Sequence, residues 1–101
     1  MPDLLATAEE LAASDGGYRV VHASPGLEVG VYVLMAPEPD GQEPHSDDEL
    51  YAVLEGRGVL EVEGERISLQ RGETAFVPAR VPHRFVEYER LALLVVFTRP
   101  R

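Results

Sequence analysis

After Gly17 the chain becomes a succession of short runs rich in β-branched and aromatic residues, nearly all closed within a few positions by glycine or proline. The runs fall at 18–23, 27–35, 50–54, 59–62, 66–69, 74–77, 83–87 and 91–98. Between them lie Ser24-Pro25-Gly26, a proline-bearing loop over 36–41, Gly56-Arg57-Gly58, Glu63-Gly64-Glu65, Gln70-Arg71-Gly72 and Val77-Pro78-Ala79. Many short strands at regular spacing with such turns predict an all-β sandwich or barrel. Only residues 3–13 break this grammar. There Leu4, Ala8, Leu11 and Ala12 recur at helical spacing, and Ser14-Asp15-Gly16-Gly17 stops the pattern. The division expected is an N-terminal helix and turn over 1–17, packed on one barrel domain over 18–101.

At 101 residues the chain suits one domain. So short a domain buries a smaller fraction of its surface than a larger one, which makes a homodimer a natural supplement. The charge is strongly acidic, 9 Lys+Arg against 18 Asp+Glu. Binding to phosphate backbones or anionic lipid is driven by basic groups, so neither nucleic acid nor membrane is an expected partner. There is no cysteine, hence no disulfide or thiolate metal site. The N-terminus has no basic segment leading into an apolar run, and the stretch 91–97 is too short to span a bilayer. A cytoplasmic protein is expected.

Chemistry concentrates in Glu43-Pro44-His45-Ser46-Asp47-Asp48-Glu49 and in the later His83. Side chains alternate between the faces of an extended segment. Glu43, His45, Glu49, Tyr51 and Val53 share one parity, and His83 shares one with Phe85. Buried on a barrel interior, an unpaired glutamate and two histidines would be costly. A divalent cation resolves that cost, because two imidazoles and a carboxylate with open positions form a recognised metal arrangement. Nitrogen and oxygen donors suit Fe, Mn, Zn, Ni or Cu. Tyr51 offers a hydroxyl or simply packs, and Arg80 meets either a ligand carboxylate or a surface acid. Phe76, Phe85, Val53, Leu60 and Val62 are assigned to the core or a pocket wall, His22 to an ordinary strand, and Asp47-Asp48 to a solvated acidic loop.

These residues resemble the cupin superfamily. Glu43-x-His45-x3-Glu49-x6-Gly56 is similar to its first motif, G-x5-H-x-H-x3,4-E-x6-G. Gly72-x5-Pro78-x-Arg80-x2-His83-x3-Glu87 is similar to its second, G-x5-P-x-G-x2-H-x3-N. The resemblance covers about residues 27–98 and implies a double-stranded β-helix, a jelly-roll-like barrel that is commonly dimeric. By position it implies His45, Glu49 and His83 as metal ligands. The chain departs from the pattern at Pro37, Glu43, Arg80 and Glu87. Glu43 replaces the first histidine and has three readings: a fourth ligand, an acceptor orienting His45, or a residue turned away while Gln42 takes its place. As a free carboxylate it could also serve as general base, which makes Glu43, Tyr51 and Arg80 the candidate catalytic residues. The resemblance implies a metalloenzyme acting on a small organic molecule, with oxygenase (dioxygenase-like) chemistry ahead of isomerase chemistry. The alternatives are a non-catalytic binding or sensing module with a structural metal, and a dimeric scaffold with a degenerate site.

Overall fold

The structure is a computed structural model that describes residues 2–41 and 45–98. A helix, α1 (Leu4–Ala13), precedes seven strands: β1 (Gly17–Ser24), β2 (Leu27–Met35), β3 (Asp48–Val62), β4 (Glu65–Gln70), β5 (Thr74–Val77), β6 (His83–Val86) and β7 (Arg90–Thr98). All pairings are antiparallel. β1, β2, β7, the first half of β3 and β5 form the larger sheet. β4, the second half of β3 and β6 form the smaller one. The two sheets are therefore continuous through β3, and together they make the jelly-roll barrel of a double-stranded β-helix.

The sequence pattern divides 50–62 into two strands at Gly56-Arg57-Gly58, whereas the structure has one bent strand. A register shift between Val53 and Glu55 twists β3 away from β7. Gly56 then takes φ +83, and a Cβ there would stand 2.1 Å from the Arg90 carbonyl oxygen. Glycine bends the strand here without ending it.

Alternation along the strands sorts the core. On β3, Tyr51 (0% exposed) and Val53 turn inward with Leu93 and Val95 of β7, while Leu50 turns out. Leu60 and Phe85 meet as register partners on the smaller sheet and complete this inner cluster. Each such side chain contributes roughly 1.5–3 kcal/mol on leaving water. Phe76 is a correction to its assignment as core or wall. β5 directs Val77 inward, so Phe76 faces out and is 58% exposed. Val62 is only partly buried against the cluster.

The outer face of the larger sheet is covered by α1. Asp3 caps the helix, its Oδ1 accepting from the N–H groups of Leu5 and Ala6. Ala8 and Leu11 then pack on Val31, Val33 and Ala92. No helix among the described residues is long and apolar enough to cross a membrane.

Candidate metal centre

Glu49 opens β3 between β5 and β7, opposite Val77 on one side and Phe97 on the other. His83 opens β6 on the smaller sheet, opposite Val62. Because the sheets face each other, both side chains reach the interior. The side chains of His83 and Glu49 are 2% and 1% exposed, and His83 Nε2 lies 2.8 Å from Glu49 Oε1. That contact is an ion pair when the ring is protonated, and with a neutral ring it is not a hydrogen bond. Among the described residues His83 Nε2 and both Glu49 carboxylate oxygens are buried without one. Buried polar atoms in this condition are rare and costly.

The far side of the ring explains the arrangement. His83 Nδ1 is 2.8 Å from the Val81 carbonyl oxygen, an acceptor only, so Nδ1 carries the proton and donates it there. A neutral His83 then turns the Nε2 lone pair toward a carboxylate oxygen, and two lone pairs at 2.8 Å repel unless a cation lies beside both. Burial by itself lowers the His83 pKa. The Glu49 carboxylate, the Val81 carbonyl and the Asp40 charge outweigh it, and the net shift is upward. A divalent ion meets the same demand without protonation. Two donors at right angles on one ion, with bonds of about 2.1 Å, stand about 3 Å apart, close to the separation here.

His45 lies on the segment leading into β3 and is half-buried. Its carbonyl oxygen accepts from the Arg80 N–H at 2.6 Å, and Asp48 Oδ1 accepts from the Ala79 N–H at 2.9 Å. These bonds tie the two halves of the sequence pattern together, and they make Asp48 a structural brace where the sequence suggested a solvated acid. The His45 ring packs edge-on against Phe97, with its centroid 6.2 Å from that of His83. Two imidazoles on one ion, with bonds of about 2 Å, have centroids separated by roughly 6 Å or less. His45 is thus at the outer limit of sharing an ion with His83. Among the described residues no three His, Asp or Glu side chains converge closely enough to hold a metal. Glu43 and its alternative Gln42 lie outside the described residues.

His45 and Glu49 line a cavity of about 410 Å³, together with Tyr18, Glu28, Tyr32 and Phe97. Tyr51 and Arg80 are not among its walls. The Tyr51 ring is buried against Phe85 and His83. Arg80 is exposed in a left-handed turn, φ +67. His22 is exposed and within hydrogen-bond reach of Ser24 Oγ.

The sequence reading missed the aromatic wall and Asp40. Glu28, Gly30 and Tyr32 share a parity on β2, and a glutamate on an otherwise apolar strand was the available signal. Asp40 is buried, with Oδ1 accepting from the Tyr32 hydroxyl at 2.9 Å and Oδ2 from the Phe85 N–H at 2.8 Å. Burial, then the neighbouring carboxylates, raise the Tyr18 and Tyr32 pKa values, with Glu28 acting on Tyr18 and Asp40 on Tyr32. Glu49 adds to both, so its charge is felt across the cavity.

Two sheets joined by one bent strand, with a carboxylate and an imidazole meeting inside, define a jelly-roll β-barrel protein. The chain belongs to the cupin family: the cupin domain model matches residues 31–97. It is similar to an uncharacterized protein of Streptomyces coelicolor, 41% identical over 92 residues, covering 90% of this chain and 88% of that one. A solved structure from Thermus thermophilus is 29% identical over 99% of this chain and 98% of that one, with TM-score 0.76. A Ralstonia eutropha structure put forward as a mannose-6-phosphate isomerase is 21% identical over 99% of this chain and 98% of that one, with TM-score 0.83. At that identity the likeness is one of fold.

Proposed function

We propose that the chain is a metal-binding cupin whose cavity receives a small organic molecule, with His45, Glu49 and His83 as the ligands of a divalent Fe, Mn, Zn, Ni or Cu ion. The observation that carries this reading is the buried Glu49–His83 contact, where three polar atoms lack hydrogen bonds while Val81 fixes the ring to present Nε2. When bound, such an ion supplies Lewis acidity and activation of water or dioxygen. The chain's own residues hold the rest of the site. Val81 fixes the His83 tautomer, Phe97 limits the His45 ring, and Tyr18, Tyr32 and Phe97 line one side of the cavity. Oxygenase-type chemistry leads and isomerase-type chemistry follows, with Glu43 as a fourth ligand or general base.

One observation favours a second reading, a non-catalytic binding or sensing module: the wide separation of His45 from His83. A homodimer goes with either. Leu50 and its register partner Phe76 stand outward at 40% and 58% exposed, an apolar pair available to a second copy.

Metal analysis of protein purified without an affinity tag tests the proposal. Stoichiometric transition metal is expected, with His83→Ala losing it while circular dichroism still reports a β-barrel. Absence of metal after reconstitution, or undiminished occupancy in the variant, refutes the ligand assignment. Oxygen uptake across small acids, phenols and amines then separates enzyme from binder.

A further inference from the structure

The cavity beside Glu49 has a wall whose chemistry goes beyond holding a metal. Tyr18 stands edge-on to both Tyr32, centroids 6.1 Å apart, and Phe97, centroids 6.5 Å apart. Three rings from β1, β2 and β7 thus border one side of the space. Glu28 belongs to the same wall, its Oε2 accepting from the Tyr18 hydroxyl at 2.8 Å. Asp47 and the buried Glu49 add two more carboxylates. Glu49 is 2% exposed, and neither of its oxygens has a hydrogen bond among the described residues, so a buried and unsatisfied acid faces this space.

No arginine or lysine is among the described lining residues. All nine basic residues of the chain are arginines. Of those described, Arg19 is paired with Glu10, Arg66 with Glu87 and Arg84 with Glu61 on the surface. Among the described lining residues a phosphorylated or polycarboxylate ligand would find no guanidinium to receive it. Aromatic faces beside carboxylates are instead the chemistry that receives an ammonium group.

We propose that the cavity takes a small organic cation, its ammonium head seated among Tyr18, Tyr32 and Phe97 beside Glu28 and the rest of the molecule directed toward Glu49. This rests on the reading of His45, Glu49 and His83 as the functional centre and names the class of molecule brought to it. A divalent ion at that centre would leave the Glu28 carboxylate in place beside the Tyr18 ring. Selectivity therefore turns on the charge of the head group, not on its shape.

The test is calorimetric titration with choline and with its uncharged tert-butyl analogue, in which carbon replaces nitrogen, on metal-loaded and chelator-treated protein. Choline is expected to bind roughly tenfold more tightly than the analogue. Glu28→Gln and Tyr18→Leu should each erase most of that preference while the analogue's own affinity changes little. Equal affinity for the two, no binding of either, or tighter binding of a sugar phosphate would overturn the proposal. Metal bound through His83 without choline preference sinks this inference alone. Choline preference in protein that never takes up metal sinks the metal reading alone.

Discussion

Replacing Asp40 by alanine is expected to destabilise the barrel by about 3 kcal/mol, and the figure follows from what its two oxygens hold. Oδ2 accepts the Phe85 N–H, which lies on β6 inside the barrel where water cannot replace the acceptor. An orphaned buried donor costs about 1–3 kcal/mol, toward the upper end when the lost partner was charged. Oδ1 accepts the Tyr32 hydroxyl, which is half-buried and can turn to water, so that loss adds about 1 kcal/mol or less. For a domain of this size each kcal/mol lowers Tm by about 4–8 °C, so a drop of more than about 12 °C is expected. Asp40→Asn keeps an acceptor for Phe85, and the tyrosine hydroxyl can rotate to accept from the amide. It should cost about 1 kcal/mol, chiefly the loss of charge assistance. Urea unfolding followed by circular dichroism measures both, with unchanged m values as the control. An alanine variant within about 0.5 kcal/mol of the parent, or an asparagine variant as damaged as the alanine one, would refute the reasoning.

Gly56→Ala combines a left-handed φ with a Cβ placed 2.1 Å from the Arg90 carbonyl oxygen, so β7 must shift. It should cost more than about 3 kcal/mol, whereas Gly64→Ala, at φ +83 with nothing within 4 Å, should cost about 1 kcal/mol in the same urea assay. The phenols of Tyr18, Tyr32 and Tyr88 have raised pKa values, by burial first and then by nearby acids. A folded value above the unfolded one means stability is complete below about pH 10 and is lost as pH rises through the folded values. Ultraviolet titration should therefore show phenolate appearing late, together with unfolding, and three tyrosines titrating near their ordinary value would contradict the structure. Phe76→Ser should turn a sedimenting dimer into a monomer with urea stability within about 0.5 kcal/mol of the parent, since the ring is exposed. Wild-type protein that sediments as a monomer would remove this surface from consideration.

The barrel was legible because alternation and turns are local signals. The runs at 27–35 and 74–77 coincide with β2 and β5, and the parity that placed Glu49 and Tyr51 inward is the parity observed. His45 was less legible, since it precedes β3 and its ring is set by Phe97, a contact made across the fold. The aromatic wall left one faint signal, Glu28 on the apolar run 27–35, and Asp40 left none. Asp40 sits in a loop flanked by prolines and glycine, where an aspartate ordinarily signals a turn. Its burial depends on β6 arriving beside that loop, through a hydrogen bond spanning 45 residues.

The departures from the family pattern also take on a physical meaning. The pattern has glycine where this chain has Arg80 and asparagine where it has Glu87, and both positions lie in the left-handed region, at φ +67 and +54. Glycine and asparagine are the residues that tolerate this conformation most readily. Those two pattern positions therefore encode a turn of the backbone, not a chemical group. Arg80 satisfies the turn by donating its N–H to the His45 carbonyl, and the Glu87 side chain turns outward to Arg66 at 2.7 Å. Neither substitution alters the interior, and the chemistry of the pattern contracts to positions 43, 45, 49 and 83. Of these only position 43 has changed type, from imidazole to carboxylate. It is also the change that puts a carboxylate in the pattern where a neutral donor is expected. The carboxylates that line the cavity, Glu28, Asp47 and Glu49, favour a cationic ligand and would turn away an anionic one.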